Sequence, residues 1–347
     1  MQEVSSIKFF RVITLILTMC FLSINNVSAQ NNKITDAVYK DFFVIDGHTH
    51  DLVKRNGNVP KQSGIDRLEA ASIDGVVLFF PLNRAPAESV IRQIQIDIDY
   101  VKQIAAQKNM NVKFVDKFTN HKNSSDSYSL QILFSGEIDG LFNGDLTRVD
   151  QLKDIGISLV VLDANDQDNI ADEINNKKQF NEFGRKLIKK LNENNITIDI
   201  SHLPEELQLE AIQVSTQPVI AGHANTMAIA ENGRNISDKV MKELFNQGGV
   251  LLFTFCKSYL FGIDPDVNVD GIEKLLDHVD YVATKYGTDK IGIGTDYGGA
   301  GANSTKDMYD IECFGNIAER LLERDYSVEQ VKQIMGGNIL KFFSFEE

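Results

Sequence analysis

The chain has 347 residues, 24% of them charged, and a formal net charge of −14 at pH 7. With 49 acidic against 35 basic side chains its surface repels nucleic acid and anionic membranes, so neither is expected as a partner. Apolar residues make up 43% of the chain, enough to bury a large core, and three cysteines are too few for a disulfide framework.

The first thirty residues carry Lys8 and Arg11, then the apolar stretch from Val12 to Leu22, then Val27-Ser28-Ala29 before Gln30. That order of charged, apolar and small residues reads as a secretory signal peptide over residues 1–29, with a retained anchor as the alternative, and its apolar part is short for a bilayer. The expectation is an exported protein, periplasmic or secreted, with no transmembrane span after signal cleavage. Residues 30–347 then suit a single domain, and a homodimer stays open. Cys256 and Cys313 remain in it, either paired or as two buried thiols.

Apolar runs alternate with helix-like stretches along this chain. The runs are Phe42–Ile45, Gly75–Phe80, Leu130–Phe134, Ser158–Leu162, Ile196–Ile200, Pro218–Ala221, Gly249–Phe255 and Lys290–Gly294. Helical stretches are expected over Ser89–Gln107, Leu146–Ile155, Phe180–Asn194, Glu205–Val214, Asp238–Asn246 and Ile272–Tyr286. Two more follow near Met308–Glu323 and Ser327–Met335, the second opened by the capping box Ser327-Val328-Glu329-Gln330. Near-continuous apolar strands suit a parallel sheet buried on both faces, and eight βα units predict an α/β fold, a (β/α)₈ TIM-type barrel. The stretch Lys117–Tyr128, rich in Asn, Ser and Lys, reads as a surface loop with an inert His121. His278, flanked by Leu275, Leu276 and Val282, reads as a structural histidine.

Ionisable residues fall at the ends of these strands. His48 and His50 follow the first, in Asp46-Gly47-His48-Thr49-His50-Asp51, and Glu137 follows the third in Ser135-Gly136-Glu137. His202 follows the fifth, His223 the sixth and Asp296 the eighth, in Gly294-Thr295-Asp296. Barrel active sites lie on the C-terminal face of the strands, where these six residues are expected. Four imidazoles and two carboxylates can hold two divalent ions that share a carboxylate, the apparatus for hydrolysing an amide or ester. No Ser-His-Asp order or reactive-cysteine context competes with that chemistry.

These motifs resemble the membrane (renal) dipeptidases, peptidase family M19, from about Val44 to Phe343. The resemblance rests on Asp46-Gly47-His48, Gly136-Glu137, Asp199-Ile200-Ser201-His202-Leu203, Pro218-Val219-Ile220 and His223. It continues through Arg234-Asn235 with Asp238 shortly after, Gly248-Gly249-Val250, Gly292-Ile293-Gly294-Thr295-Asp296 and Gly336-Gly337-Asn338. It implies a (β/α)₈ barrel with two Zn²⁺ ions that hydrolyses dipeptides, including those with a C-terminal D-residue. It further implies that His48 and Asp296 bind the first zinc, that Glu137 bridges, and that His202 and His223 bind the second. Asp296 would also shuttle a proton between water and leaving amine, and Arg234 would hold the substrate's terminal carboxylate.

Three positions depart from the family pattern. His50 stands where the family has Asp, leaving open whether His50 or Asp51 completes the first site. Ala164 stands where a substrate-polarising histidine is expected, and the neighbouring Asn165 could supply that hydrogen bond instead. Asp296-Tyr297-Gly298-Gly299 lacks a supporting carboxylate. The function expected is an exported zinc-dependent dipeptidase acting on a small peptide or amide. Two alternatives stay beside it: hydrolysis of another small amide, an N-acyl amino acid or a lactone, and a metal-holding binding protein that has lost catalysis.

Overall fold

The apolar runs become parallel strands because both of their faces are covered, by helices outside and by neighbouring strands inside. The structure, a computed structural model, describes residues 39–50, 52, 64–81, 87–122, 129–138, 140–163, 169–262 and 270–344. The signal peptide and the boundary at residue 30 lie outside them, as do Asp51, Ala164 and Asn165. Phe42–Glu347 packs as one compact unit.

Eight strands run in sequence order around this unit: β1 (Ile45–Thr49), β2 (Gly75–Pro81), β3 (Leu130–Ile138), β4 (Ile157–Asp163), β5 (Thr197–His202), β6 (Ile220–Ala221), β7 (Val250–Phe253) and β8 (Ile291–Ile293). Each pairs in parallel with the next. The segment after β8 returns to β1, where the Asp296 amide donates to the His48 carbonyl at 2.8 Å and the His50 amide to the Tyr297 carbonyl at 2.7 Å. A side-chain clasp reinforces that seam. Buried Asp46 accepts the backbone amides of His48 and Thr295 and, at 2.7 Å, the Thr295 hydroxyl. Burial pushes its carboxyl up to about 7, against the opposing effect of those hydrogen bonds.

Alternate strand residues fill the interior: Ile45, Val77 and Phe79, Leu133, Leu159 and Val161, Ile220, and Val250 and Leu252. The helix Asn338–Phe343 adds Ile339, Phe342 and Phe343 to this cluster. The capping box at Ser327 forms as expected, with Gln330 reaching back to the Ser327 amide.

Several local features were not legible as elements. An edge strand, Val112–Val115, pairs with β3, and a hairpin of Ala171–Ile174 with Lys177–Phe180 precedes the helix Glu182–Glu193. A short helix, Lys257–Phe261, follows β7, and the helix expected from Met308 begins at Cys313. His121 is not a solvent-facing loop residue. Its ring packs edge-on against Phe43, and its Nε2 lies 3.4 Å from buried Asp74, which Lys122 also reaches at 3.0 Å. This cluster sits at the N-terminal ends of β2 and β3, away from the face where the other histidines gather.

Candidate metal centre

His48 lies inside β1 rather than past it, fully buried, with its ring stacked on Phe79 of β2 at a centroid distance of 3.6 Å. The pairing of β1 with β2 shifts register between Asp46 and Thr49, which re-aims the side chains at the end of the strand. His50 follows directly. Its Nδ1–H donates to the Phe79 carbonyl at 3.1 Å, which turns Nε2 toward His48 Nε2 at 3.2 Å. Phe79 therefore holds one imidazole with its ring and the other with its backbone.

Glu137, at the end of β3, faces both ways. Its Oε2 lies 3.2 Å from His50 Nε2, and its Oε1 lies 2.8 Å from His202 Nε2 at the end of β5. His202 Nε2 is in turn 3.0 Å from Nε2 of His223, which follows β6. Asp296 completes the first group, with Oδ1 3.5 Å from His50 Nε2 and 3.8 Å from His48 Nε2. The six residues that the sequence placed at strand ends thus form one cluster. Within it, His48, His50 and Glu137 bring donor atoms within 4.8 Å of one another, as do Glu137, His202 and His223. Each set could hold a metal ion.

Asp296 adopts φ +60°, a left-handed conformation uncommon outside glycine though better tolerated by Asp than by most residues, and here a local constraint holds it. The constraint is visible in the turn that follows. The amides of Gly299 and Gly301 both donate to the Asp296 carbonyl, and the Ala300 amide donates to Asp296 Oδ2 at 3.1 Å. A Cβ on Gly299 would lie 2.2 Å from Asp296 Oδ1 and 2.9 Å from the His50 ring, so no larger residue fits. Tyr297, in the stretch that lacks the family carboxylate, points away and donates to the Met308 carbonyl at 2.6 Å.

The electrostatics suit a cation. Burial, with His223 and His50 close by, holds the His48 imidazole well below its ordinary range and therefore neutral. Burial alone would raise Glu137, but hydrogen bonds from His202 and His50 outweigh it and keep the carboxylate ionised. His50 is the converse case. Burial lowers it, yet Asp296 and Glu137 together hold it up at about 9, the mark of a place that draws in positive charge. A neutral His48, an ionised Glu137 and imidazole nitrogens facing each other across 3.0–3.2 Å make a donor set suited to a divalent ion, whose arrival would displace the proton that His50 holds in its absence.

Arg234 sits on the loop after β6. Buried Asn235 anchors that loop, donating to the Ala230 and Tyr259 carbonyls at 2.8 Å each and accepting the Asn225 amide. The half-buried guanidinium then lies over the Tyr259 ring at 5.5 Å, with Nη2 3.1 Å from His223 Nε2. His278 supports the same loop from behind. It accepts the Thr226 amide and donates to the Leu260 carbonyl, which is a structural role. Cys256 and Cys313 are both free and buried, and burial pushes both thiols up. Phe79 and Tyr259 were not anticipated, because neither carries a motif. Asp199, beside the cluster, was legible only as one letter of Asp199-Ile200-Ser201-His202.

A (β/α)₈ barrel with histidines and carboxylates gathered at its strand C-termini defines the amidohydrolase type of metal-dependent hydrolase fold. Within it, the chain belongs to the membrane dipeptidases, peptidase family M19, whose profile matches residues 32–347. The dipeptidase tcpJ of Claviceps purpurea (strain 20.1) is 30% identical over 158 residues, covering 46% of this chain and 36% of that protein. The chain spans about a third of the length of the curated relatives it matches. Among solved structures, an amidohydrolase from Pseudomonas aeruginosa superposes with a TM-score of 0.75 at 20% identity, covering 89% of this chain and 98% of the other. A metallo peptidase from Rhodobacter sphaeroides, liganded with a phosphinate mimic of the dipeptide L-Ala-D-Ala, has a TM-score of 0.75 at 15% identity, covering 87% and 98%.

Proposed function

We propose that this chain is an exported dipeptidase that works with two zinc ions. The observation that carries the reading is Glu137, which turns one oxygen to each of two histidine groups. His48, His50 and Asp296 would hold one ion, His202 and His223 the other, with Glu137 shared. When bound, such ions lower the pKa of water and polarise a carbonyl oxygen. Asp296 has the position and the constrained backbone of a group that takes a proton from the attacking water and passes it to the leaving amine. Arg234 offers a planar, donor-only fork beside the cluster, suited to a dipeptide's terminal carboxylate. The face of the Tyr259 ring, 5.5 Å from the guanidinium carbon, supports that fork by a cation–π contact.

His50 replaces an anionic ligand by a neutral one, so the centre carries one less negative charge than the family pattern and still has enough donors for two ions. On the family pattern Ala164 stands where a histidine would donate to the oxygen that gains charge during attack, and an alanine side chain has no donor. Losing one such donor costs on the order of a hundredfold in turnover, so hydrolysis of ordinary dipeptides should be slow unless Asn165 substitutes. The test is purified protein loaded with zinc and assayed against L,L and L,D dipeptides, N-acyl amino acids and lactones. The reading expects about two ions per chain by elemental analysis, one fewer in His202→Ala, and hydrolysis confined to dipeptides. Full metal content with turnover only of acyl or lactone substrates would favour the alternative amidohydrolase. Full metal content with no turnover would favour a binding protein.

A further inference from the structure

Asp199 of β5 and His223 after β6 are both buried, and the Asp199 Oδ2 and His223 Nδ1 atoms face each other at 3.8 Å. Among the described residues neither atom has a hydrogen-bond partner at normal distance. The other carboxylate oxygen is fully used: Oδ1 accepts the Ser201 amide at 2.8 Å, the Ser201 hydroxyl at 2.6 Å and the Gly222 amide at 3.1 Å. The carboxylate is therefore fixed with one oxygen on the backbone and one on the imidazole. Gly222 permits this approach, since a Cβ there would lie 2.2 Å from Oδ2.

The far side of the ring decides where its proton lies. Arg234 Nη2 lies 3.1 Å from His223 Nε2, and a guanidinium can only donate. Nε2 must then be the acceptor, which leaves the ring proton on Nδ1, toward Asp199. His202 agrees with this, because its Nε2–H is directed to Glu137 Oε1 at 2.8 Å. Two orphaned buried atoms of opposite polarity, one a donor and one an acceptor, are satisfied by each other after a movement of under about 1 Å. Asp199, His48 and His223 also bring donor atoms within 4.8 Å of one another, so the carboxylate lies close to one histidine of each group.

We infer that Asp199 is a positioning residue that locks His223 in the Nδ1–H tautomer and so presents the Nε2 lone pair to the Glu137–His202 group. Its effect on metal rests on the two-ion reading above, whereas its effect on the tautomer does not. A carboxylate behind a ligating imidazole fixes its orientation and raises its basicity.

The discriminating variant is Asp199→Asn. Three donors converge on Oδ1, so they hold the amide with its oxygen there and its NH₂ toward His223. That NH₂ donates where the carboxylate accepted, so the free ring answers with the Nε2–H tautomer, and ligation through Nε2 would force its proton back to Nδ1 against that NH₂. With six histidines in the chain, long-range ¹H–¹⁵N spectra of the chelated protein can resolve each tautomer. His223 should be Nδ1–H in the wild type and Nε2–H in Asp199→Asn. Zinc titration should show the variant losing one ion, with affinity at that site down about tenfold to a hundredfold. An Nε2–H His223 in the wild type overturns the inference without any variant. So does a folded Asp199→Asn that keeps zinc affinity within about twofold of wild type. A wild type that binds no zinc but shows Nδ1–H on His223 overturns the two-ion reading and supports the role of Asp199.

Discussion

Arg234 shows how much a single side chain depends on its surroundings. Its identity is plain in the sequence, but its aim depends on two buried asparagines, Asn225 and Asn235, and on the Tyr259 ring beneath it. Replacing Arg234 by Ala should raise KM for a dipeptide about tenfold to a hundredfold, the worth of hydrogen bonds to a charged group, and leave zinc content unchanged. Assaying the wild type on a C-terminally amidated substrate should reproduce that loss. Equal turnover of free and amidated dipeptides would remove Arg234 from substrate binding. At this scale the residues with ligand chemistry were legible in the sequence, since imidazoles and carboxylates at strand ends announce themselves by type. Phe79 was not, because its contribution to His50 is a backbone carbonyl, which every residue has.

Among the elements, the eight barrel strands were legible because each is an apolar run buried on both faces. Their ends were less so. His48 and Glu137 belong to strands, and the register shifts in β1 and between β4 and β5 leave no mark in hydrophobic periodicity. The edge strand and the hairpin carry mixed, exposed residues and therefore no pattern. The helix Gly271–Tyr286 carries a testable consequence in His278. Burial, only partly offset by the Leu260 carbonyl, lowers this imidazole to about 4 from the ordinary 6.5. The unfolded chain then binds the extra proton more readily, so the stability tied to neutral His278 is complete above about pH 6.5 and is lost as pH falls toward 4. The slope is about 1.4 kcal/mol per pH unit and the total about 3 kcal/mol. Denaturant midpoints of chelated His278→Gln should fall less steeply than wild type between pH 6.5 and 4. Parallel curves would show that His278 does not titrate with folding.

For the whole molecule, the centre joins β1, β3, β5 and the segments after β6 and β8, which are far apart in sequence. An ion held there would link β1, β3 and β5, which do not pair with one another, and would stabilise the folded state by mass action. At zinc a hundredfold above Kd this is about 2.7 kcal/mol, so chelation should lower Tm by several degrees and zinc should restore it. The shift should shrink in His202→Ala. A Tm that ignores both chelator and zinc would mean the cluster holds no structural cation. Among the described residues no helix is long and apolar enough to cross a membrane.

Composition, apolar period and residue type were enough, with no structure, to define an eight-stranded α/β barrel and the six side chains gathered at its mouth. These follow from local physics: strands buried on both faces must be apolar throughout, and a polar residue with ligand chemistry at their ends has few other uses. Tertiary structure alone decided which atoms face which. The two-way orientation of Glu137, the left-handed turn at Asp296, the burial of His121 against Asp74 and the facing of Asp199 and His223 all arise between segments distant in the chain. Side-chain direction there is set by register shifts, close glycines and hydrogen-bond donors on neighbouring strands. A one-dimensional pattern does not contain those quantities.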